Sequence, residues 1–62
     1  MPYVNIRVAG RLSREQKAEI SRGVTEVISR VAGKPSNTIL VFIDEVEREN
    51  IAQGGRLLDE PQ

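Results

Sequence analysis

Only one group in this chain is suited to proton transfer near neutral pH, and it belongs to the backbone. The sequence has no histidine and no cysteine, so no side chain has an ordinary pKa between 6 and 9. Pro2 stands behind the initiator methionine. Removal of Met1 would expose its secondary amine, and an α-amino group titrates at about 8. The pyrrolidine ring fixes the direction of the nitrogen lone pair. Apolar surroundings or a nearby cation would weaken its hold on a proton and make it a base at pH 7. Pro2 is therefore the candidate catalyst; the competing reading is that it starts an edge strand or aids methionine processing.

Other chemistry is poorly represented. Asp44, Glu45, Glu47 and Glu49 form an acidic cluster interrupted by Arg48. Neither histidine nor a glycine-rich calcium loop accompanies it, so it reads as a solvated strand end. Gly54-Gly55 lacks the lysine and the following helix of a phosphate loop. The serines have no histidine partner, which excludes a hydrolytic triad. No metal site and no cofactor are expected.

At 62 residues the chain is one small domain, residues 1–62, of a size that buries only about 60% of its unfolded surface. Without cysteines or a zinc site it lacks the usual staples, which leaves oligomerisation as the expected remedy. Nine basic and nine acidic residues cancel, so no electrostatic footprint for nucleic acid or an anionic membrane stands out. The longest apolar run, Ile39 to Ile43, is five residues, far short of the roughly 20 that span a bilayer. No charged leader with an apolar centre precedes it, and a cytoplasmic location is expected.

The elements that must position Pro2 follow from periodicity. In Pro2–Ala9, Val4, Ile6 and Val8 alternate with Tyr3, Asn5 and Arg7, as in a strand with one face on a core. Gly10 and Arg11 break the alternation. Ser13 and Gln16 have capping-box spacing, so a helix begins near Arg14. Ile20, Val24, Val27, Ile28 and Val31 form one apolar stripe, while Lys17, Glu19, Arg22, Glu26 and Arg30 read as a solvated face. Gly33 and Pro35 end the helix at about Ala32. Ser36-Asn37-Thr38 is a turn, and Ile39–Ile43 is a strand continuing toward Val46.

The helix would span roughly 28 Å, enough to return the chain to its starting edge. The fold class expected is α+β: a right-handed β-α-β unit with two parallel strands, one long helix and a short C-terminal hairpin turning at Gly54-Gly55. Asp59 to Gln62 reads as a loose tail. Ile39, Val41 and Ile43 point one way and Leu40 and Phe42 the other, so both faces of the second strand seek burial. One helix covers one face. Another chain must cover the other, so an oligomer is expected.

Several features in fixed order resemble the 4-oxalocrotonate tautomerase family: Pro2, Gly10-Arg11, Glu15-Gln16-Lys17, Val41-Phe42-Ile43-Asp44-Glu45-Val46 and the Gly54-Gly55 turn. They cover nearly the whole chain. The resemblance implies a homohexamer, a trimer of dimers, in which the amino-terminal proline moves a proton between oxygen and carbon of an enol or dienol. It implies no cofactor and no metal, and substrates that are enols of 2-oxo acids. Family arginines hold the carboxylate and stabilise charge on the 2-oxo group, and Arg11 matches the first of them. A guanidinium can grip a carboxylate with two parallel bonds, and its charge near Pro2 would lower the amine pKa.

The chain departs from the family pattern at three places. Arg11 lies one position closer to the proline, with Leu12-Ser13-Arg14 one residue longer than the usual spacing to Glu-Gln-Lys. Leu40 stands where founding members carry a second substrate-binding arginine, and Ile51 where they carry an aromatic pocket residue. These changes favour a monocarboxylate enol such as phenylenolpyruvate over 2-hydroxymuconate, or an arginine supplied by another chain, since some members are heterohexamers. Arg7 and Arg56 are further candidates for the lost charge. Gln53 lies close to where dehalogenating relatives carry a water-activating carboxylate, and an amide cannot be that base. The rival to an enzyme is a non-catalytic partner subunit that kept the fold and lost the pocket.

Overall fold

Ser13 and Gln16 do at the helix start what their spacing predicts. The Ser13 hydroxyl accepts from the Gln16 N–H at 3.1 Å, and the Gln16 side chain accepts from the Ser13 N–H at 2.8 Å. Two otherwise orphaned donors are satisfied together. In the computed structural model, which describes residues 1–61, this capping box opens α1 (Arg14–Ala32), and Gly33 closes it.

Helix α1 joins β1 (Tyr3–Ala9) to β2 (Leu40–Val46) by way of a 3-10 turn at Ser36–Thr38. The two strands pair in parallel, Tyr3 opposite Leu40 and Ala9 opposite Val46. Hydrogen bonds from Leu40 N–H to the Pro2 carbonyl (3.0 Å) and from Gly10 N–H to the Val46 carbonyl (2.8 Å) extend the pairing past both ends of β1. A second 3-10 turn, Arg48–Asn50, leads to a hairpin of β3 (Ala52–Gln53) and β4 (Arg56–Leu57). Its loop is Gly54-Gly55, with φ of 60° and 83°, and two positive φ angles are what a two-residue type I′ turn demands.

The segments expected from periodicity form with small shifts of boundary. Pro2 precedes β1 and Ile39 precedes β2. The expected loose tail is partly held: Arg56 binds the Glu60 carboxylate at 3.3 Å and the Pro61 carbonyl at 2.9 Å. Gln62 lies outside the described residues. The apolar stripe of α1 is also divided. Ile20, Val24 and Ile28 are half-buried, as are Ser21, Thr25 and Ser29 beside them, whereas Val27 and Val31 are exposed.

No residue among those described is fully buried. One helix over two strands makes a single apolar seam, in which Val4, Ile6, Val8, Val41 and Ile43 are half-buried. The other face is open: Tyr3 is 69% exposed and Phe42 50%, their rings in edge contact at 6.2 Å. The radius of gyration is 14.9 Å, against about 11 Å for a compact chain of this length. The accessible surface is 4991 Å², against about 4000 Å² for a compact monomer of this mass. Among the described residues no helix is long and apolar enough to cross a membrane.

Candidate active site

Strand β1 holds the candidate residues apart. Pro2 precedes it, half-buried, with its carbonyl fixed by the Leu40 N–H. Leu40 therefore lies beside Pro2, opposite Tyr3 in register. Arg11 follows the other end. At about 3.3 Å per residue, the seven residues of β1 keep Pro2 and Arg11 more than roughly 20 Å apart in one chain. Within a single chain the Arg11 charge therefore lies away from Pro2, because an extended strand cannot fold its ends together. With Met1 attached the Pro2 nitrogen is an amide. Met1 is exposed, its Sδ 3.8 Å from the Tyr3 hydroxyl, which donates to it.

Arg11 sits in a charged cluster at the C-terminal end of the sheet. Its Nη2 donates to Glu47 Oε1 at 2.8 Å, and both side chains are exposed. Beneath this pair, Glu45 binds the loop to the helix: one carboxylate oxygen accepts from the Leu12 N–H at 2.8 Å and the other from Lys17 Nζ at 2.8 Å. The Lys17 hydrogen bond first, and then that from Leu12, hold the Glu45 carboxyl below its ordinary value. Glu45 and Lys17 are therefore not the solvated charges that local sequence suggested. Their pairing joins residues 28 positions apart, a contact no local spacing announces.

Ile51, half-buried, lies on the segment that leaves this same end of β2, its carbonyl accepting from the Leu58 N–H at 2.8 Å. The candidates therefore divide into two groups, Pro2 with Leu40 at one end of the sheet and Arg11 with Ile51 beyond the other. Neither proposed substitute for the missing arginine is free. Arg7 faces Asp44 at 3.8 Å, and Arg56 is bound to Glu60 and Pro61. Arg48 passed unremarked in the sequence except as an interruption of the acidic run, yet its guanidinium lies against Gly10. An open groove of about 610 Å³ along α1, beside Ser21, Thr25 and Ser29, does not include Pro2 in its lining.

This architecture has close counterparts. A family model described as tautomerase enzyme matches residues 2–60. The chain belongs to the tautomerase family. A probable tautomerase of Bacillus cereus is 35% identical over 60 residues, covering 97% of this chain and 98% of the relative. The crystal structure of a 4-oxalocrotonate tautomerase homologue superposes with a TM-score of 0.90 at 31% identity, covering 100% and 98% of the two chains. A heterohexamer 4-oxalocrotonate tautomerase from Chloroflexus aurantiacus gives a TM-score of 0.89 at 26% identity over the full length of both chains. A tautomerase is an isomerase, and the β-α-β unit with its C-terminal hairpin is the fold of these relatives. As a tautomerase, the single chain carries the candidate groups without uniting them.

Proposed function

We propose that this tautomerase ketonises enols of 2-oxo acids without a cofactor, with Pro2 as base and then acid once Met1 has been removed. The amine takes the proton of the enol hydroxyl as the C–O bond gains double-bond character. The same proton is then delivered to carbon, so the product is an isomer of the substrate and the amine is regenerated. Arg11 of a neighbouring chain binds the carboxylate and the charge developing on the 2-oxo oxygen. Leu40 and Ile51 line the apolar part of the pocket, from the chains that bring them there.

The observation that carries this reading is the separation of Pro2 from Arg11 along β1, together with the uncovered Tyr3, Leu40 and Phe42 face. A site needing both residues has to form between chains, and the open apolar face supplies the surface on which chains would meet. We infer an assembly of six, in keeping with the Chloroflexus aurantiacus heterohexamer. The second reading, a non-catalytic partner subunit, is favoured by two features: Arg11 is held by Glu47, and Leu40 carries no charge.

The test is the ultraviolet-monitored ketonisation of phenylenolpyruvate by chain whose methionine removal has been confirmed by mass spectrometry. A rate well above buffer that falls by roughly 10²–10⁴-fold in Pro2→Ala supports general acid–base catalysis by proline. No rate, or one indifferent to the substitution, would favour the partner-subunit reading.

A further inference from the structure

We propose that Glu45 is a positioning residue of the active site: its carboxylate fastens the loop that carries Arg11 and so sets how tightly that arginine grips a substrate carboxylate. The proposal rests on the reading of Arg11 as the carboxylate binder of a 2-oxo acid tautomerase.

A guanidinium makes two parallel bonds to a carboxylate only while it is held in the right orientation. Arg11 stands on the loop between β1 and α1, and its side chain is exposed, so little packing directs it. Its backbone is fixed on both sides instead. The Gly10 N–H donates to the Val46 carbonyl at 2.8 Å, and the Leu12 N–H donates to Glu45 Oε2 at 2.8 Å. Arg11 is thus held against two successive residues at the end of β2. Val46 acts through a backbone carbonyl that any residue there would supply. Glu45 acts through its side chain, so it is the anchor that residue type decides.

Glu45 is itself held in place. Its Oε1 accepts from Lys17 Nζ at 2.8 Å, and both side chains are half-buried, where a pair is screened less than at the surface. One carboxylate therefore ties β2 to the loop and to the first turn of α1. The contact on the Arg11 side chain is of another kind. Arg11 and Glu47 are both exposed, and an exposed pair is weak enough for an incoming carboxylate to displace it. The loop is fastened while its guanidinium stays exchangeable, as a binding arginine requires.

The experiment reads Arg11 without turnover. Cinnamate has the ring and carboxylate of phenylenolpyruvate but no enol to ketonise. It is titrated calorimetrically into the methionine-processed assembly, unaltered and as Glu45→Met, Glu45→Gln, Arg11→Ala and the double variant Arg11→Ala with Glu45→Met. Methionine keeps the side-chain length and offers the Leu12 N–H no oxygen, glutamine keeps an acceptor, and both lose the ion pair with Lys17. The expected result is affinity weakened roughly tenfold in Glu45→Met and less than about threefold in Glu45→Gln. Added to Arg11→Ala, Glu45→Met should cost less than about twofold, because a residue that acts through Arg11 then has nothing to act on. A general weakening of the fold would affect both Glu45 variants alike and add to Arg11→Ala. Where Glu45→Met does not assemble, Glu45→Asp, one methylene shorter and so drawn back from Leu12, takes its place. Unchanged affinity in Glu45→Met, an equal loss in Glu45→Gln, an undiminished loss beside Arg11→Ala, or no cinnamate binding by the unaltered assembly would overturn the proposal. The expected pattern in an assembly that does not ketonise phenylenolpyruvate would uphold Glu45 and defeat the tautomerase reading. Pro2-dependent ketonisation with cinnamate affinity indifferent to Glu45→Met would do the reverse.

Discussion

At the scale of single residues, the proposed chemistry depends on one amine, that of Pro2, and on a cation brought near it. A base must be unprotonated, so kcat/KM should rise with pH through the Pro2 amine pKa and then level. A guanidinium near that amine disfavours its protonated form, so Arg11→Ala should move the inflection upward, toward the ordinary α-amino value of about 8. A pH–rate profile of both proteins checks this; an inflection that stays in place would place Arg11 away from the proline in the assembly. Glu45 makes a different prediction. Its folded pKa is depressed by Lys17 and Leu12, so its stabilising contribution is present above the unfolded value of about 4.3 and is lost as pH falls through the lower folded value. Thermal melting from pH 7 downward should show an acid loss that Glu45→Gln lacks. Pro2 stands out in the sequence as a candidate base, because a chain without histidine or cysteine leaves few to choose from. Glu45 and Arg48 do not stand out, because each acquires its meaning from a residue more than thirty positions away in Leu12 or Gly10.

At the scale of elements, short local rules account for most of the fold. The helix limits, Arg14 and Ala32, follow from the Ser13–Gln16 capping box and from Gly33 and Pro35. Ser13→Ala should therefore cost about 1 kcal/mol, seen as a lower denaturant midpoint with unchanged slope. The hairpin is set as locally: both loop glycines have positive φ, and Gly54→Ala or Gly55→Ala should destabilise it by roughly 1 kcal/mol through strain, with faster amide exchange at Leu58. Ambiguity arose where packing decides. Periodicity placed Val27 and Val31 in the same apolar stripe as Ile20 and Val24, but the sheet is only two strands wide and reaches only part of that stripe. The apolar residues left over on α1 and β2 are explained by what lies outside the chain. The loop from Gly10 to Ser13 was similarly opaque, since its anchor is a carboxylate on β2.

At the scale of the whole molecule, the isolated chain leaves one face of its sheet uncovered. Its surface exceeds that of a compact monomer by about the area one subunit gives to a standard interface, and Phe42 and Leu40 stand on the uncovered face. A charge there would be buried without a partner in any assembly that uses this face, so Phe42→Asp should yield smaller species in analytical ultracentrifugation and abolish turnover together with assembly. Assembly was legible in the sequence from the two apolar faces of β2, whereas the division of Pro2 from Arg11 required the register and length of β1. That division is the central claim, and a mixed assembly tests it most directly. Pro2→Ala and Arg11→Ala chains, each nearly inactive alone, are unfolded, mixed in equal amounts, refolded together and assayed for enol ketonisation. If each site takes its proline and its arginine from different chains, random mixing restores about a quarter of the sites, and the mixture should recover a comparable share of wild-type activity. A mixture as inactive as its components, although assembled, would contradict a site shared between chains.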